Sequence, residues 1–304
     1  MFLDGISKKI EMQLVITDIN KTYSNGIRAL NNVTLTIDRG MFGLLGPNGA
    51  GKSTLMKTIA TLQEADSGSI TMGEIDVLKQ KEEVRKILGY LPQEFNVYPK
   101  VDAQTLLDHL ATLKGMIHKK EREEMVAALL DKTNLWSVRK TNLGSFSGGM
   151  RQRFGIAQSL LANPHLIIVD EPTAGLDPEE RSRFLNLLAE VSEKAIVILS
   201  THIVEDINAL CSCMAILRGG ELIYNGRTSE AARQLEGKVW RKEIKKGELD
   251  EYRKKFRVIS DRLVAGIPVI HVWSESMLDN SFVRIPVSLE DAYFAHVVNS
   301  FPNN

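Results

Sequence analysis

Residues Gly46-Pro47-Asn48-Gly49-Ala50-Gly51-Lys52-Ser53-Thr54 carry the clearest chemical signal in this chain. Their spacing is that of the phosphate-binding loop, or P-loop, G-x-x-x-x-G-K-[ST]. Glycines allow consecutive backbone N–H groups to turn inward and surround phosphate oxygens. Lys52 would direct a cation toward the β- and γ-phosphates, and the Ser53 hydroxyl is suited to binding Mg²⁺. The loop therefore predicts a site for a nucleoside triphosphate.

The residues on either side of the loop predict a strand and a helix. Residues 41–45 (MFGLL) form a short apolar run typical of a buried strand, and residues 55–60 (LMKTIA) indicate a helix. The N-terminal dipole of that helix would add to the attraction for phosphate. This strand–loop–helix order predicts an α/β fold with a P-loop core.

Other segments extend the same architecture. Three short apolar runs, at 166–169, 195–199 and 214–217, predict strands of a mostly parallel sheet covered on both faces. Further strands are predicted at 12–19, 33–38 and 87–91, the first two forming an N-terminal antiparallel β subdomain, and leucines at helical spacing predict helices between about 103 and 160. Asp177 and Pro178 have the residue types of an N-cap and first position of another helix.

The composition changes after about residue 230. Residues 238–255 contain eight basic and four acidic residues, a pattern more typical of a solvated face than of a lipid or nucleic-acid patch. Short alternating runs follow at 256–259, 267–273 and 282–287, and a capping-box-like start at Ser288 predicts a final helix. We therefore predict a cassette over residues 1–230, with a helical subdomain at about 94–162, and a small α/β accessory domain over residues 231–304.

Composition limits the classes of function. The 304 residues contain 38 Lys and Arg and 38 Asp and Glu, so the chain lacks the cationic excess of a nucleic-acid binder, and no nucleic-acid partner is expected. Cys211 and Cys213, expected on one strand, suit buried free thiols in a reducing compartment. No apolar run approaches the length of a membrane span, and Met1-Phe2-Leu3 is soon followed by charged residues. These features predict a cytoplasmic chain without a signal peptide.

Two carboxylates follow the predicted strand at 166–169. An acid at the carboxyl end of a strand beside a P-loop can hold Mg²⁺ or its waters, which is the role expected for Asp170. The adjacent Glu171 could act as the general base that polarises an attacking water. The alternative is an ordinary solvated strand end. A P-loop needs an acid on the Mg²⁺ side, and no better candidate at a strand end is present.

A second anion-binding turn is predicted at Ser147-Gly148-Gly149, in a segment that precedes residues 154–161, which have helical character. Here the sequence resembles the ATP-binding cassette (ABC) family, whose signature usually reads Leu-Ser-Gly-Gly-Gln. In this chain the motif is Phe146-Ser147-Gly148-Gly149-Met150, so Phe and Met replace Leu and Gln. The Ser-Gly-Gly core is retained, and with it the expected contact to phosphate.

Four further motifs of the family occur in order over residues 12–230. Tyr23 resembles the aromatic residue that stacks on adenine, although an ordinary strand-end tyrosine is the alternative. Gln93, in Leu91-Pro92-Gln93-Glu94, resembles the glutamine that approaches Mg²⁺ and the attacking water. Asp177, in Ala174-Gly175-Leu176-Asp177-Pro178, resembles the aspartate of the dimer interface, and His202 the switch histidine that contacts the γ-phosphate.

The resemblance implies an ATPase that uses ATP and Mg²⁺. It also implies a head-to-tail dimer, homo- or heterodimeric, in which Ser147, Gly148 and Gly149 contact the ATP held by the partner's P-loop. The partner would be a separate membrane permease, docked on a helical insertion after Gln93 that includes residues 94–98, at the cytoplasmic face of the cell membrane. The chain looks most like subunits of ABC-2-type bacterial exporters.

Two other classes remain open on the sequence alone. One is a soluble ABC ATPase, for example in iron–sulfur cluster assembly, against which the extra C-terminal domain argues. Translation factors of the family carry two cassettes, and repair ATPases insert a long coiled coil, whereas this chain has one P-loop and a short gap between Gln93 and Ser147. The other is an ATP-binding module without turnover, which the presence of Glu171 and His202 disfavours.

Overall fold

In the computed structural model, which describes residues 12–172 and 176–298, the chain forms three β-sheets with helices packed against them. The strands are β1 (Leu14–Thr22), β2 (Arg28–Ile37), β3 (Gly40–Leu45), β4 (Ser67–Met72), β5 (Ile75–Asp76), β6 (Leu88–Leu91), β7 (Leu166–Asp170), β8 (Ile196–Ser200), β9 (Cys213–Arg218), β10 (Glu221–Arg227), β11 (Val239–Glu243), β12 (Arg257–Val264), β13 (Ile267–Trp273) and β14 (Val283–Arg284). The helices are α1 (Lys52–Ile59), α2 (Lys81–Ile87), α3 (Ala103–Leu113), α4 (Lys119–Lys132), α5 (Gly148–Ser159), α6 (Pro178–Ser192), α7 (Val204–Leu210), α8 (Thr228–Arg233), α9 (Leu249–Lys255) and α10 (Leu289–Val297).

The central sheet has the strand order β10-β9-β3-β8-β7-β6, and all of its pairs are parallel except β9 with the edge strand β10. Side chains of β7 alternate between two cores: Ile167 and Val169 face the core beneath the helical subdomain, whereas Leu166 and Ile168 face the core around α1. Burial on both faces explains why these strands read as continuous apolar runs. The predicted α/β class with a mostly parallel core is confirmed.

The N-terminal sheet is antiparallel, with the order β2-β1-β4-β5. Both of its first strands are longer than predicted, because each continues past a polar residue that breaks the alternation. Asp18 and Asn32 have positive φ angles of 49°, and the pairing shifts register in this region. The Oδ1 atom of Asn20 accepts a hydrogen bond of 3.0 Å from the backbone N–H of Asn32, which holds the strands together across the irregularity.

The helical region differs from prediction in three places. Residue 87 ends α2, a helix that was not predicted, so the strand expected at 87–91 begins at Leu88. The helix expected from Phe154 begins six positions earlier at Gly148, because the Ser147 side chain accepts a hydrogen bond of 3.2 Å from the Met150 N–H and caps it. Residues 94–98, expected within a helical insertion, form no regular structure, and the first helix after Gln93 is α3.

The C-terminal residues form an antiparallel sheet, β12-β13-β11-β14, with α10 packed across to the cassette. The predicted capping box at Ser288 is present, with Asp291 as its reciprocal partner. At the other end of α10, Arg218 Nη1 donates a hydrogen bond of 2.9 Å to the carbonyl of Val297. Buried Ala231 and Leu235 belong to the large core, so the boundary at residues 230 and 231 stays a prediction.

The two cysteines were predicted to share a strand, but they do not. Cys213 is the first residue of β9, whereas Cys211 follows α7. Both are free thiols, and burial, assisted by nearby Asp206, raises the pKa of Cys211 to about 12. Within residues 12–172 and 176–298, none of the helices has the length and apolar character needed to cross a bilayer.

Candidate functional site

The candidate site lies at the carboxyl edge of the parallel sheet. The adjacent strands β3, β8 and β7 end there, and the residues that follow them surround a cavity of about 800 Å³. In open α/β sheets this edge is where ligands bind. The cavity is lined by Tyr23, Asn25, Ile27, Ala29, Gly46, Pro47, Asn48, Gly49, Ala50, Gly51, Lys52, Ser53, Thr54, Gln93, Asp170, Glu171, His202 and Tyr293.

The P-loop requires glycine at two positions for steric as well as conformational reasons. Gly46 and Gly51 have positive φ angles of 153° and 105°. A Cβ atom at Gly51 would lie 2.4 Å from the Ala29 carbonyl oxygen, and one at Gly46 would lie 2.3 Å from that of Leu217. Both contacts are with backbone, which cannot move aside as a flexible side chain can. The loop is therefore packed tightly between the two sheets.

Lys52 extends along the inner side of the loop. Its Nζ donates hydrogen bonds of 2.6 Å to the Gly46 carbonyl and 3.2 Å to the Pro47 carbonyl. Burial lowers its pKa, and the negative charges of Glu171 and Asp170 oppose that shift. The amine therefore lies in the cavity within the field of both carboxylates, a position in which it can compensate a phosphate charge.

Ser53 and Asp170 meet at the bottom of the site. The Ser53 hydroxyl donates a hydrogen bond of 3.1 Å to Oδ2 of Asp170, and the Asp170 side chain is buried. Hydroxyl and carboxylate oxygens are the hard ligands that Mg²⁺ prefers. Among the described residues, no group of three or more His, Cys, Asp and Glu could hold a metal by itself, so phosphate oxygens and water would have to complete the coordination.

Glu171 and His202 form a close pair across the ends of β7 and β8. Oε2 of Glu171 lies 2.6 Å from Nδ1 of His202, and the Glu171 N–H donates a hydrogen bond of 2.9 Å to the Ser200 carbonyl. The Glu171 side chain is only 13% exposed, whereas that of His202 is 70% exposed. Glu171 also has a φ of 50°, an uncommon conformation for a residue with a side chain. Such backbone strain clusters at functional sites.

Tyr23 lies at the turn that joins β1 and β2. Its hydroxyl is 3.1 Å from Oγ1 of Thr54, at the end of the P-loop, and donates a hydrogen bond of 3.0 Å to Oε1 of Gln63. These contacts hold the phenol ring at the edge of the cavity. Gln93, which follows β6, lines the same cavity and is exposed.

The remaining predicted residues lie outside this cavity. Ser147 is exposed at the start of α5, and Gly148 lines a separate cavity of about 500 Å³ that also includes Gln93. The Asp177 carboxylate caps α6 by accepting a hydrogen bond of 2.8 Å from the Glu180 N–H, as predicted. Ala174 and Gly175 of its motif lie outside the described residues. One chain therefore does not bring the Ser147 turn to its own P-loop.

The two regions are nevertheless connected through one side chain. Nε2 of Gln152, on α5, donates a hydrogen bond of 2.7 Å to the carbonyl of Pro172, immediately after Glu171. A displacement of α5 would therefore move the backbone that follows β7.

Four lining residues were not among the predicted site residues: Asn25, Ile27, Ala29 and Tyr293. The first three follow Tyr23 closely, and the Asn25-Gly26 turn that was recognised is what directs them toward the cavity. Tyr293 has no local signal at all. It is far from the P-loop in sequence and reaches the cavity only because α10 packs back onto the cassette.

Comparisons with known proteins agree with this geometry. The family model described as ABC transporter matches residues 30–174. NatA, an ABC transporter ATP-binding protein of Bacillus subtilis, is 34% identical over 222 residues, which is 70% of this chain and 89% of NatA. The chain belongs to the ABC transporter family. The uncharacterised ATP-binding protein YxlF of the same organism is 30% identical over 295 residues, covering 92% of this chain and 98% of YxlF.

Solved structures extend the similarity to the fold. An ATP-binding subunit of an ABC transporter superposes with a TM-score of 0.69 at 30% identity, covering 80% of this chain and 98% of that one. The dimeric cassette MJ0796, in a post-hydrolysis state bound to ADP and Pi, gives a TM-score of 0.65 at 26% identity, covering 70% and 98%. This ABC transporter ATP-binding subunit is accordingly an ATPase, like its family.

Proposed function

We propose that this ABC ATPase powers a separate membrane permease, as part of an exporter, through ATP-driven pairing of two cassettes. Relatives named for export or resistance support the direction: the Nod factor export ATP-binding protein I of Rhizobium etli and the linearmycin resistance protein LnrL of Bacillus subtilis are each 34% identical. A methionine import protein of Oenococcus oeni is 33% identical. We propose export and not import because more of the relatives are named for export or resistance.

In this proposal the nucleotide occupies the 800 Å³ cavity. The phosphates lie on the backbone of residues 46–54 and against Lys52, and adenine stacks on Tyr23, whose ring the hydroxyl contacts hold in place. Ser53, Asp170 and Gln93 would hold Mg²⁺, which when bound would neutralise charge on the phosphates. Glu171 accepts the proton of the attacking water. His202, within 2.6 Å of that carboxylate, orients it and faces the terminal phosphate.

The proposed pairing of two cassettes is supported by one observation: Ser147, Gly148 and Gly149 lie away from the cavity of their own chain. An exposed Ser-capped helix start offers free N–H groups and a positive dipole end. A second chain, placed head to tail, would supply such a helix end to the open side of each P-loop, with Asp177 at the same interface. ATP then bridges the two chains, and hydrolysis releases them.

A mixing experiment tests this arrangement. Lys52→Ala disables the P-loop of one chain, and Ser147→Arg disables the signature turn of another. In a head-to-tail mixed dimer both defects fall in the same composite site, which leaves the second site intact. We expect each variant alone to lack ATPase activity and their mixture to regain it. The control is a mixture of Lys52→Ala with an equal amount of an unrelated protein. No recovery in the mixture would contradict a composite site.

Residues 94–98 are the proposed docking segment for the permease. They lie outside regular structure beside α5, and Tyr98 is among the most exposed large side chains described. Leu113 and Ile117, at and after the end of α3, are also exposed apolar residues of the helical subdomain. An exposed apolar side chain such as Tyr98 is suited to a contact with another protein. Docking there would place the chain at the cytoplasmic face of the membrane.

Purification of tagged Glu171→Gln chain from detergent-solubilised native membranes, with ATP and Mg²⁺ present, tests the transporter assignment. We expect a multi-span protein to be recovered in stoichiometric amount and identified by mass spectrometry. A Tyr98→Ser variant in the same background should recover less of it. A bare dimer, or soluble partners only, would instead favour a soluble ABC ATPase, for example in iron–sulfur cluster assembly.

A further inference from the structure

We propose that Tyr293, contributed by the C-terminal accessory domain, is a nucleotide-contacting residue that donates a hydrogen bond to the terminal phosphate. The proposal rests on the proposed binding of ATP in the cavity that contains the P-loop. It assigns part of the ATP site to α10, a helix that lies outside the matched family segment, residues 30–174.

Tyr293 lies in the wall of the same cavity as Lys52, Glu171 and His202. Its side chain is half-buried, and within residues 12–172 and 176–298 its hydroxyl makes no hydrogen bond to the protein and is accessible to solvent. A hydroxyl that is accessible in this way can donate a hydrogen bond to a bound ligand. Burial raises the pKa of Tyr293, so the hydroxyl keeps its proton at neutral pH and can donate it to an anionic oxygen.

The helix that carries Tyr293 is fixed at both ends. At its start, Asp291 closes the capping box with Ser288 and lies 2.6 Å from Nδ1 of the buried His271. At its end, Arg218 Nη1 donates to the carbonyl of Val297, and Arg218 is the last residue of β9, the strand beside β3. The phenol is therefore held in place by the fold, as a ligand-binding group must be.

The packing of α10 favours the phosphate end of the cavity for Tyr293 over the adenine end. The first turns of α10 and α7 line one shared cavity, in which Leu289 and Val204 both take part. Leu289 and Tyr293 are four residues apart and lie on the same face of α10. Since α7 begins two residues after His202, and α10 runs toward the end of β9, Tyr293 continues this face toward His202 and the P-loop.

Binding measurements on the full-length chain test the proposal. ATP and ADP titrations by calorimetry, with Mg²⁺ and in the Glu171→Gln background to prevent hydrolysis, compare Tyr293 with Tyr293→Phe and Tyr293→Ala. A hydrogen bond to a charged oxygen predicts about tenfold weaker ATP binding for Tyr293→Phe, and less than about threefold for ADP, which lacks the terminal phosphate. Tyr224→Phe is the matched control: Tyr224 contacts α10 through His296, with ring centroids 4.9 Å apart, but lies outside the cavity.

Unchanged ATP affinity in Tyr293→Phe would overturn the proposal, and so would equal losses for ATP and ADP, which would place the contact away from the terminal phosphate. A different result would show that the cavity does not bind ATP at all. If the Glu171→Gln chain itself binds no nucleotide, the assignment of the cavity fails along with the role of Tyr293. If it binds nucleotide and loses that binding in Lys52→Ala, the cavity is the nucleotide site. The comparison of Tyr293 with Tyr293→Phe then decides whether this residue contacts the terminal phosphate.

Discussion

Replacement of Glu171 by Gln is expected to slow ATP hydrolysis by about 10²- to 10⁴-fold, the usual contribution of a positioned general base. The amide keeps the size of the side chain and its place next to His202, but it cannot accept the proton of water. Nucleotide binding should therefore survive. Because hydrolysis separates the two chains in the proposed cycle, the variant should accumulate as an ATP-bound dimer. Steady-state ATPase assays and size-exclusion chromatography with ATP measure both effects.

The control for this substitution is Glu193→Gln, which removes an exposed carboxylate at the far end of α6 and should leave turnover unchanged.

His202→Ala, like Glu171→Gln, should lower turnover, because it removes the partner that lies 2.6 Å from the Glu171 carboxylate. Wild-type turnover in Glu171→Gln would assign the base to another group.

The Lys52→Ala variant is expected to lose both ATPase activity and measurable affinity for ATP. The amine is buried in the loop, where two carbonyls and two carboxylates stabilise its charge, and among the described residues that line the cavity Lys52 is the only lysine or arginine. Without this amine, the charge of a phosphate bound on the loop would lose its nearest compensating cation. Lys57→Ala, an exposed lysine on the same helix, is the matched control and should bind ATP normally. ATP binding by Lys52→Ala with wild-type affinity would contradict this role.

Local motifs made much of the site predictable from sequence. Gly46, Gly51 and Lys52 are required by the loop itself, and Asp170 and Glu171 follow a strand whose apolar run is unmistakable. The helix cap at Asp177 and the capping box at Ser288 were predicted because a cap is a local hydrogen-bond arrangement. The resemblance to the ABC family supplied Gln93, His202 and Tyr23, which no local rule would have selected.

The features that sequence did not predict depend on contacts between distant segments. Tyr293 reaches the cavity through the packing of α10 on α7 and β9. The positive φ of Glu171 occurs where its N–H bonds to the Ser200 carbonyl on the neighbouring strand, a contact between distant segments. The early start of α5 depended on a Ser147 cap whose context, Gly-Gly, has low helix propensity. In each case a tertiary or capping contact outweighs the local preference.

Gly155 has a consequence for how a permease could act on this ATPase. A Cβ atom there would lie 2.5 Å from Cζ of Phe95, so the aromatic ring rests directly against the backbone of α5. The contact between Phe95 and α5 is steric, and it joins an aromatic ring to a bare helix surface. Mechanical load applied to the docking segment would thus reach the signature helix by direct compression. Such a connection resists a push in one direction and transmits little when pulled, so a resting permease could release the helix without breaking a bond.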